Sequence, residues 1–213
     1  MLADDKRRDT RASPIYSEIY VIRAPARVLE AGDVCRLIDH ASSLRHANRN
    51  KVIVLASFKA GLRACEISRL AWPMVLTSEG KIADALTVPG AIAKYGGGRI
   101  IPLQLDLKRA LRSHHRDAGR PATGYIVQSE RGEAMKPQSI VNWFSTIYRD
   151  LGITGASSHS GRRTFITRAA RSLSKVGGSL RDVQELAGHK ALSTTERYIQ
   201  GDRDAQRKLI KLI

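Results

Sequence analysis

Leu186-Ala187-Gly188-His189-Lys190-Ala191-Leu192-Ser193-Thr194-Thr195-Glu196-Arg197-Tyr198 is the stretch on which the reading of this chain turns. Leu180, Val183, Leu186 and Ala187 fall on one helical face; Ser179 can cap that helix and Gly188 ends it. His189 follows as either a helix C-cap or a phosphate hydrogen-bond donor. Ser193-Thr194-Thr195-Glu196 has capping-box spacing, which places Tyr198 early on a short helix of its own. A tyrosine on an amphipathic helix is far more often packing than chemistry, so its company elsewhere in the chain decides. Asp182 to Ile199 also reads as a helix-turn-helix, which would explain a basic protein. It would leave the residues upstream without a role.

Those residues come in order. Arg63 lies in Gly61-Leu62-Arg63-Ala64-Cys65-Glu66. A guanidinium stays charged and bonds two oxygens at once, which suits a phosphate. Glu66 is one helical turn on and can orient Arg63, a plain surface ion pair being the alternative. Ala85 to Val88 and Arg99 to Pro102 flank Gly96-Gly97-Gly98 and read as a β-hairpin with a glycine-rich turn. Lys94 stands at the entry to that turn, where a mobile ammonium can protonate a leaving 5′-oxygen; an ordinary hairpin lysine is the alternative. The glycines lack the Walker pattern and a following helix. His159 and Arg162 share a face at a helix start, where free N–H groups favour an anion. His159 is a base or acid near neutral pH, or an N-cap histidine without chemistry. Phe165, Ile166, Ala169, Ala170 and Leu173 line that helix. Two arginines, a lysine, two histidines and a tyrosine are what in-line attack on a phosphodiester requires when no metal or cofactor takes part. Tyr198 is the candidate nucleophile, since a phenol activated by cations and a base can attack.

The remainder of the chain is consistent with a DNA-handling protein. It has 213 residues, enough for one large domain or two small ones. Lys plus Arg is 36 against 20 Asp plus Glu, a formal charge of +16. Such a surplus points to a polyanion, because phosphate neutralisation releases counterions. Cys35 and Cys65 have no metal-ligand spacing and form no disulfide framework; they read as small buried hydrophobes in a reducing compartment. The polar start shows no signal peptide, and Val52 to Phe58, the longest apolar run, is too short to span a membrane. A cytoplasmic protein, nucleoid-associated when on DNA, is expected. Residues 1–14 read as a flexible lead-in. Asp33 caps a helix to about His46 with Val34, Leu37, Ile38 and Ala41 on one face. Asn48 to Ala60 is a nearly buried helix ended by Gly61, and Ala64 to Leu70 a short one stopped by Pro73. Leu107, Ala110, Leu111, His114 and Ala118 make a helical stripe. Tyr125-Ile126-Val127 reads as a short strand, and Ile140, Val141, Phe144, Ile147, Tyr148 and Leu151 as a further helix.

On these residues the chain resembles the tyrosine recombinase (phage integrase) family. The matching segments are Gly61 to Ile67, Lys94 through Arg99-Ile100-Ile101-Pro102-Leu103, His159-Ser160-Gly161-Arg162-Arg163, and Leu186 to His189 through Thr194 to Tyr198. The resemblance implies the family's catalytic domain, an α+β, mainly helical unit with a small antiparallel β-sheet, over residues 33–205. Residues 1–32 would be a flexible or partly ordered lead-in. Residues 206–213 would be a tail, with Leu209, Ile210, Leu212 and Ile213 apolar enough to dock on a neighbouring subunit. It implies a site-specific recombinase of the integrase or invertase kind that needs neither metal nor ATP. Tyr198 would form a 3′-phosphotyrosine; Arg63, Arg162 and His189 would hold the phosphate; Lys94 would be the acid and His159 would assist proton transfer, with Glu66 in support. Double-stranded DNA would be the partner, with a homotetramer on paired sites and accessory DNA-bending proteins. Gly161 stands where many members have leucine. About 32 residues precede Asp33, too few for the family's core-binding domain, so weak DNA binding by this chain alone is expected. A non-catalytic DNA-binding protein on the same fold is the alternative. A type IB topoisomerase fits the spacing from Leu186 to Tyr198 less well, and a metal-dependent nuclease lacks its carboxylate cluster.

Overall fold

The apolar run Val52 to Phe58 forms the centre of the molecule in the computed structural model, which describes residues 25–93, 96–198 and 210–211. It belongs to helix α2 (Ala47–Lys59), in which every residue from Val52 to Phe58 is buried. A helix apolar on all sides must be surrounded. Here α1 (Ala31–Ser43), α4 (Leu105–Asp117) and α6 (Ser160–Val176) pack around α2. Short helix α3 (Ala64–Ser68) and α5 (Pro137–Asp150) pack on each other and complete the main core, which includes Leu37, Leu62, Ile67, Trp72, Leu111, Ile140 and Phe144. Each such side chain contributes about 1.5–3 kcal/mol by leaving water.

Helix α1 starts earlier than Asp33. Glu30 is its N-cap residue, and Asp33 lies in the first turn. The Asp33 carboxylate accepts from Arg27 at 2.9 Å and pairs with Arg36 at 3.6 Å. It complements the helix dipole there instead of capping it. Val34, Leu37 and Ala41 face inward, so the intervening Cys35 is exposed; Cys65 is half-buried. The expectation that both thiols are buried is corrected. The last residues before α1 belong to the core: Leu29 is fully buried, donates its N–H to Thr164 Oγ1 at 2.9 Å, and accepts at its carbonyl from Arg168 at 3.0 Å.

The sheet is one antiparallel hairpin, β1 (Ala85–Val88) against β2 (Arg99–Pro102), with Ala85 opposite Pro102 and Val88 opposite Arg99. Lys94 in its connection lies outside the described residues. Tyr125 to Val127 does not form a strand. Tyr125 makes one isolated bridge to Ala71, flanked by Ile126 N–H to Leu70 O at 2.8 Å and Trp72 N–H to Gly124 O at 3.0 Å. The partner segment turns at once into a 3-10 turn, Trp72–Met74, whose Pro73 has no N–H to extend a ladder.

A second, smaller core is built from the last third. Ile166 of α6 meets Val183 and Ala187 of α7 (Leu180–Ala187), with Phe165, Leu173, Leu180 and Tyr198 packed on them. Helix α6 therefore touches α2 on one side and α7 on the other. Its approach to α2 is very close: a Cβ at Gly161 would lie 2.1 Å from Ser57 Oγ and 2.9 Å from Phe58 Cδ2. Helix α8 (Leu192–Glu196) follows, with Ala191 as its extended N-cap residue. Tyr198 lies just beyond the end of α8, not early within a helix, because α8 begins one residue before Ser193 and closes at Glu196. Among the described residues no helix is long and apolar enough to cross a membrane.

Candidate functional site

Arg63 is the N-cap residue of α3, in extended conformation right after Gly61 and Leu62. Its backbone N–H donates to Glu66 Oε2 at 2.9 Å, and its Nη1 to Glu66 Oε1 at 3.2 Å. Glu66 is fully buried, so the surface ion pair is excluded. Its second cation is Arg99 of β2, whose Nη1 and Nη2 donate to Oε1 and Oε2 at 2.9 and 3.0 Å. Each carboxylate oxygen thus accepts two hydrogen bonds, close to its capacity. Burial alone would push the Glu66 carboxyl up; the hydrogen bonds and charge of Arg99, then those of Arg63, outweigh it and hold the group below its ordinary value.

Arg99 is the member of the site that the sequence did not single out. Strand alternation puts residues 99 and 101 on one face, and Ile101 is buried while Ile100 is exposed. Because Ile100 and Ile101 are both apolar, the sequence does not say which face is inward. Arg99 also donates from Nε to Leu186 O at 3.0 Å, so it ties the hairpin to the end of α7.

Arg162, 3% exposed, bridges two distant backbone points. Nη1 donates to Gly61 O at 2.7 Å and Nη2 to Ala187 O at 2.6 Å. Burial first, and the neighbouring Arg63 charge next, lower its pKa to about 10, which leaves it a cation at neutral pH. Helix α7 ends at Gly188 in left-handed conformation, φ 62°, and a Cβ there would lie 3.0 Å from Arg99 Cδ. That turn delivers His189 beside the arginines. Burial, then Arg162, Arg63 and Arg99, lower the His189 pKa to about 4, so the ring is neutral near pH 7. Its Nδ1 is 2.9 Å from Thr195 Oγ1.

Tyr198 stacks on His189, ring centroids 5.5 Å apart and planes 24° off parallel. The Arg163 guanidinium lies over the Tyr198 ring at 5.9 Å. The Tyr198 carbonyl accepts from Thr167 Oγ1 at 3.2 Å, and its half-buried ring packs on the smaller core. Arg63, Glu66, Arg162, His189 and Tyr198 are therefore brought together from opposite ends of the described chain. His159 is not joined to them. It is the exposed N-cap residue of α6, with Ser158 Oγ at 3.5 Å from Nδ1, and among the described residues no hydrogen bond, ion pair or ring contact links it to Arg162, His189 or Tyr198. The Lys94 expectation falls outside the described residues. A cleft of about 700 Å³ opens beside the cluster, between Gly98, Arg99, Gln184, Gly188 and His189. Three guanidiniums against one carboxylate give the cluster an excess of positive charge that suits an oxyanion.

Comparison with known proteins points the same way. The model of the phage integrase family matches residues 27–204. Tyrosine recombinase XerC of Xanthomonas campestris pv. campestris (strain B100) is 25% identical over 177 residues, 83% of this chain and 52% of that protein. XerC of Lactobacillus delbrueckii subsp. bulgaricus (strain ATCC BAA-365 / Lb-18) is 28% identical over 179 residues, 79% of this chain and 55% of that one. The chain thus spans about half the length of the curated relatives it matches. Among solved structures, the XerA recombinase superposes with a TM-score of 0.67 at 24% identity, covering 87% of this chain and 64% of that one. XerH site-specific recombinase bound to its difH substrate in a pre-cleavage complex gives 0.65 at 16% identity, covering 91% and 55%. At these identities the structural likeness establishes the fold.

Proposed function

The chain belongs to the phage integrase family and carries its tyrosine recombinase catalytic domain, and from that premise we propose that it is a site-specific DNA recombinase of the integrase or invertase kind. The observation that carries the reading is the meeting of Arg63 and Arg162 with His189, on whose ring Tyr198 stacks. In the proposed step the Tyr198 oxygen attacks a backbone phosphorus in line. The bond from phosphorus to the 5′-oxygen breaks, a 3′-phosphotyrosine forms, and the leaving 5′-oxygen takes a proton from Lys94. Arg63, Arg162 and neutral His189 stabilise charge on the non-bridging oxygens. Glu66 keeps Arg63 oriented, and His159 assists proton transfer by accepting, directly or through water, the proton that the Tyr198 hydroxyl loses on attack, once DNA lies over the start of α6. Rejoining is the reverse attack by a 5′-hydroxyl, so the energy of the broken bond is conserved and no ATP is consumed.

Double-stranded DNA is the proposed partner, favoured by the +16 charge. Strand exchange would place a homotetramer on paired sites, with accessory bending proteins as the site demands. We assign residues 33–205 to the catalytic domain, extended back to Leu29 because that residue lies in its core and α1 begins at Ala31, with the residues before them a lead-in and 206–213 a tail that docks on a neighbour. The test is a nicked suicide substrate carrying the recombination site, incubated in EDTA without ATP with wild type and Tyr198→Phe. A denaturation-resistant protein–DNA adduct in wild type alone supports the reading. DNA binding without an adduct indicates a binding module, and an adduct that survives in Tyr198→Phe indicates another nucleophile.

A further inference from the structure

Thr195 is fully buried and its hydroxyl sits 2.9 Å from Nδ1 of His189, itself 8% exposed. A neutral imidazole has one N–H and one lone pair, so its partner at Nδ1 decides which nitrogen carries the proton. If Nδ1–H donated to Thr195, the hydroxyl proton would need an acceptor of its own. Among the described residues the His189 ring is the hydrogen-bond partner of that hydroxyl. A buried hydroxyl proton left unpaired costs about 1–3 kcal/mol. The satisfied arrangement has the threonine O–H donating to Nδ1, with the ring proton on Nε2.

We propose that Thr195 is a positioning residue that holds His189 as the Nε2–H tautomer, so that the ring presents a donor to a phosphate oxygen. This rests on the recombinase reading above. The groups facing the ring favour the neutral form on which the device depends: Arg162 from α6, Arg63 from the start of α3 and Arg99 from β2, with Tyr198 stacked on it. His189 is fixed at its backbone as well. Its N–H donates to Gln184 O at 3.1 Å and its carbonyl accepts from Gln184 Nε2 at 3.0 Å. Thr195 also accepts at its carbonyl from the Tyr198 N–H at 3.0 Å. One residue thus sets the proton on the phosphate donor and anchors the nucleophile's backbone.

The experiment is a long-range proton–nitrogen NMR correlation of the His189 ring in the full chain at neutral pH, paired with the suicide-substrate assay. Wild type should show a protonated Nε2 and a bare, hydrogen-bonded Nδ1. Thr195→Val should lose the fixed tautomer and slow adduct formation by about tenfold or more, while Thr195→Ser restores both. A wild-type ring protonated at Nδ1 overturns the proposal, as does Thr195→Val with unchanged tautomer and unchanged cleavage. If Thr195→Val does not fold, the wild-type tautomer and the serine variant still decide. A wild type that binds the substrate without forming an adduct, yet shows the Nε2–H ring, overturns the recombinase reading and supports the tautomer assignment.

Discussion

Glu66 shows how a carboxylate can serve a site proposed to hold phosphate. Its four acceptor positions are taken by Arg63 and Arg99, so it aligns Arg63 and has little capacity left to compete for it. Replacing Arg99 with Ala frees half of those positions in a buried place. We expect a loss of about 3 kcal/mol in urea unfolding. Arg99→Lys should recover only part, since an ammonium cannot make the two-pronged contact. Wild-type stability in Arg99→Ala would refute this account. The depressed histidine has an opposite kind of consequence. His189 is held at about 4 against an ordinary 6.5, so within that window the unfolded chain binds a proton that the folded chain refuses. Stability must therefore fall as pH drops from about 6.5 toward 4, and the effect vanishes above 6.5. His114, lowered chiefly by burial, acts in the same direction. Glu66, also held below its ordinary value, acts in the same direction at lower pH, where the unfolded carboxyl takes up a proton before the folded one does. Urea midpoints between about pH 7.5 and 5 read the histidines, and His189→Gln should flatten the slope. These roles were half legible. Arg63, Arg162, His189 and Tyr198 stood out by order and spacing; Arg99 did not, because the two apolar residues beside it hid the inward face of its strand.

Helices α2 and α6 cross at a point with no room for a side chain. Gly161 there faces Ser57 and Phe58, and the family's more frequent leucine would not fit without moving one helix. Gly161→Ala is expected to destabilise the fold by about 1–3 kcal/mol, the range for overpacking a core. Adding Ser57→Gly should return part of the loss, measured by thermal unfolding of the single and double variants; additive losses would argue against a shared contact. The glycine was visible in the sequence as a departure, but its reason was not, because Ser57 lies 104 residues away (161 − 57). Helix identities were legible from their apolar periods, while ends were less so. Asp33 looked like a cap and is a first-turn charge; Tyr198 looked helical and lies past a helix end. In both cases a neighbouring residue, Glu30 or Ala191, took the boundary because its extended backbone came first. Tyr125 to Val127 had strand-like residues but a partner segment that turns away after one bridge.

At the scale of the whole molecule, two cores meet along α6, and Arg162 hydrogen-bonds to a carbonyl from each side. The fold class was legible through the ordered motifs that carry the family resemblance, and the expectation of a polyanionic partner through composition, because motif order and charge are properties of the chain by itself. How the larger core receives the smaller one did not, since it depends on two backbone carbonyls that every sequence possesses. That bridge has a consequence for how the protein is made. Gly61 leaves the ribosome well before Ala187, His189 and Tyr198. A polypeptide that stops short of α7 lacks the carbonyl that seats one arm of Arg162, together with His189 and Tyr198. On the recombinase reading proposed above, translation order is then a safeguard: a fragment released from a stalled ribosome would be unable to cleave DNA, whatever affinity for it the basic charge confers.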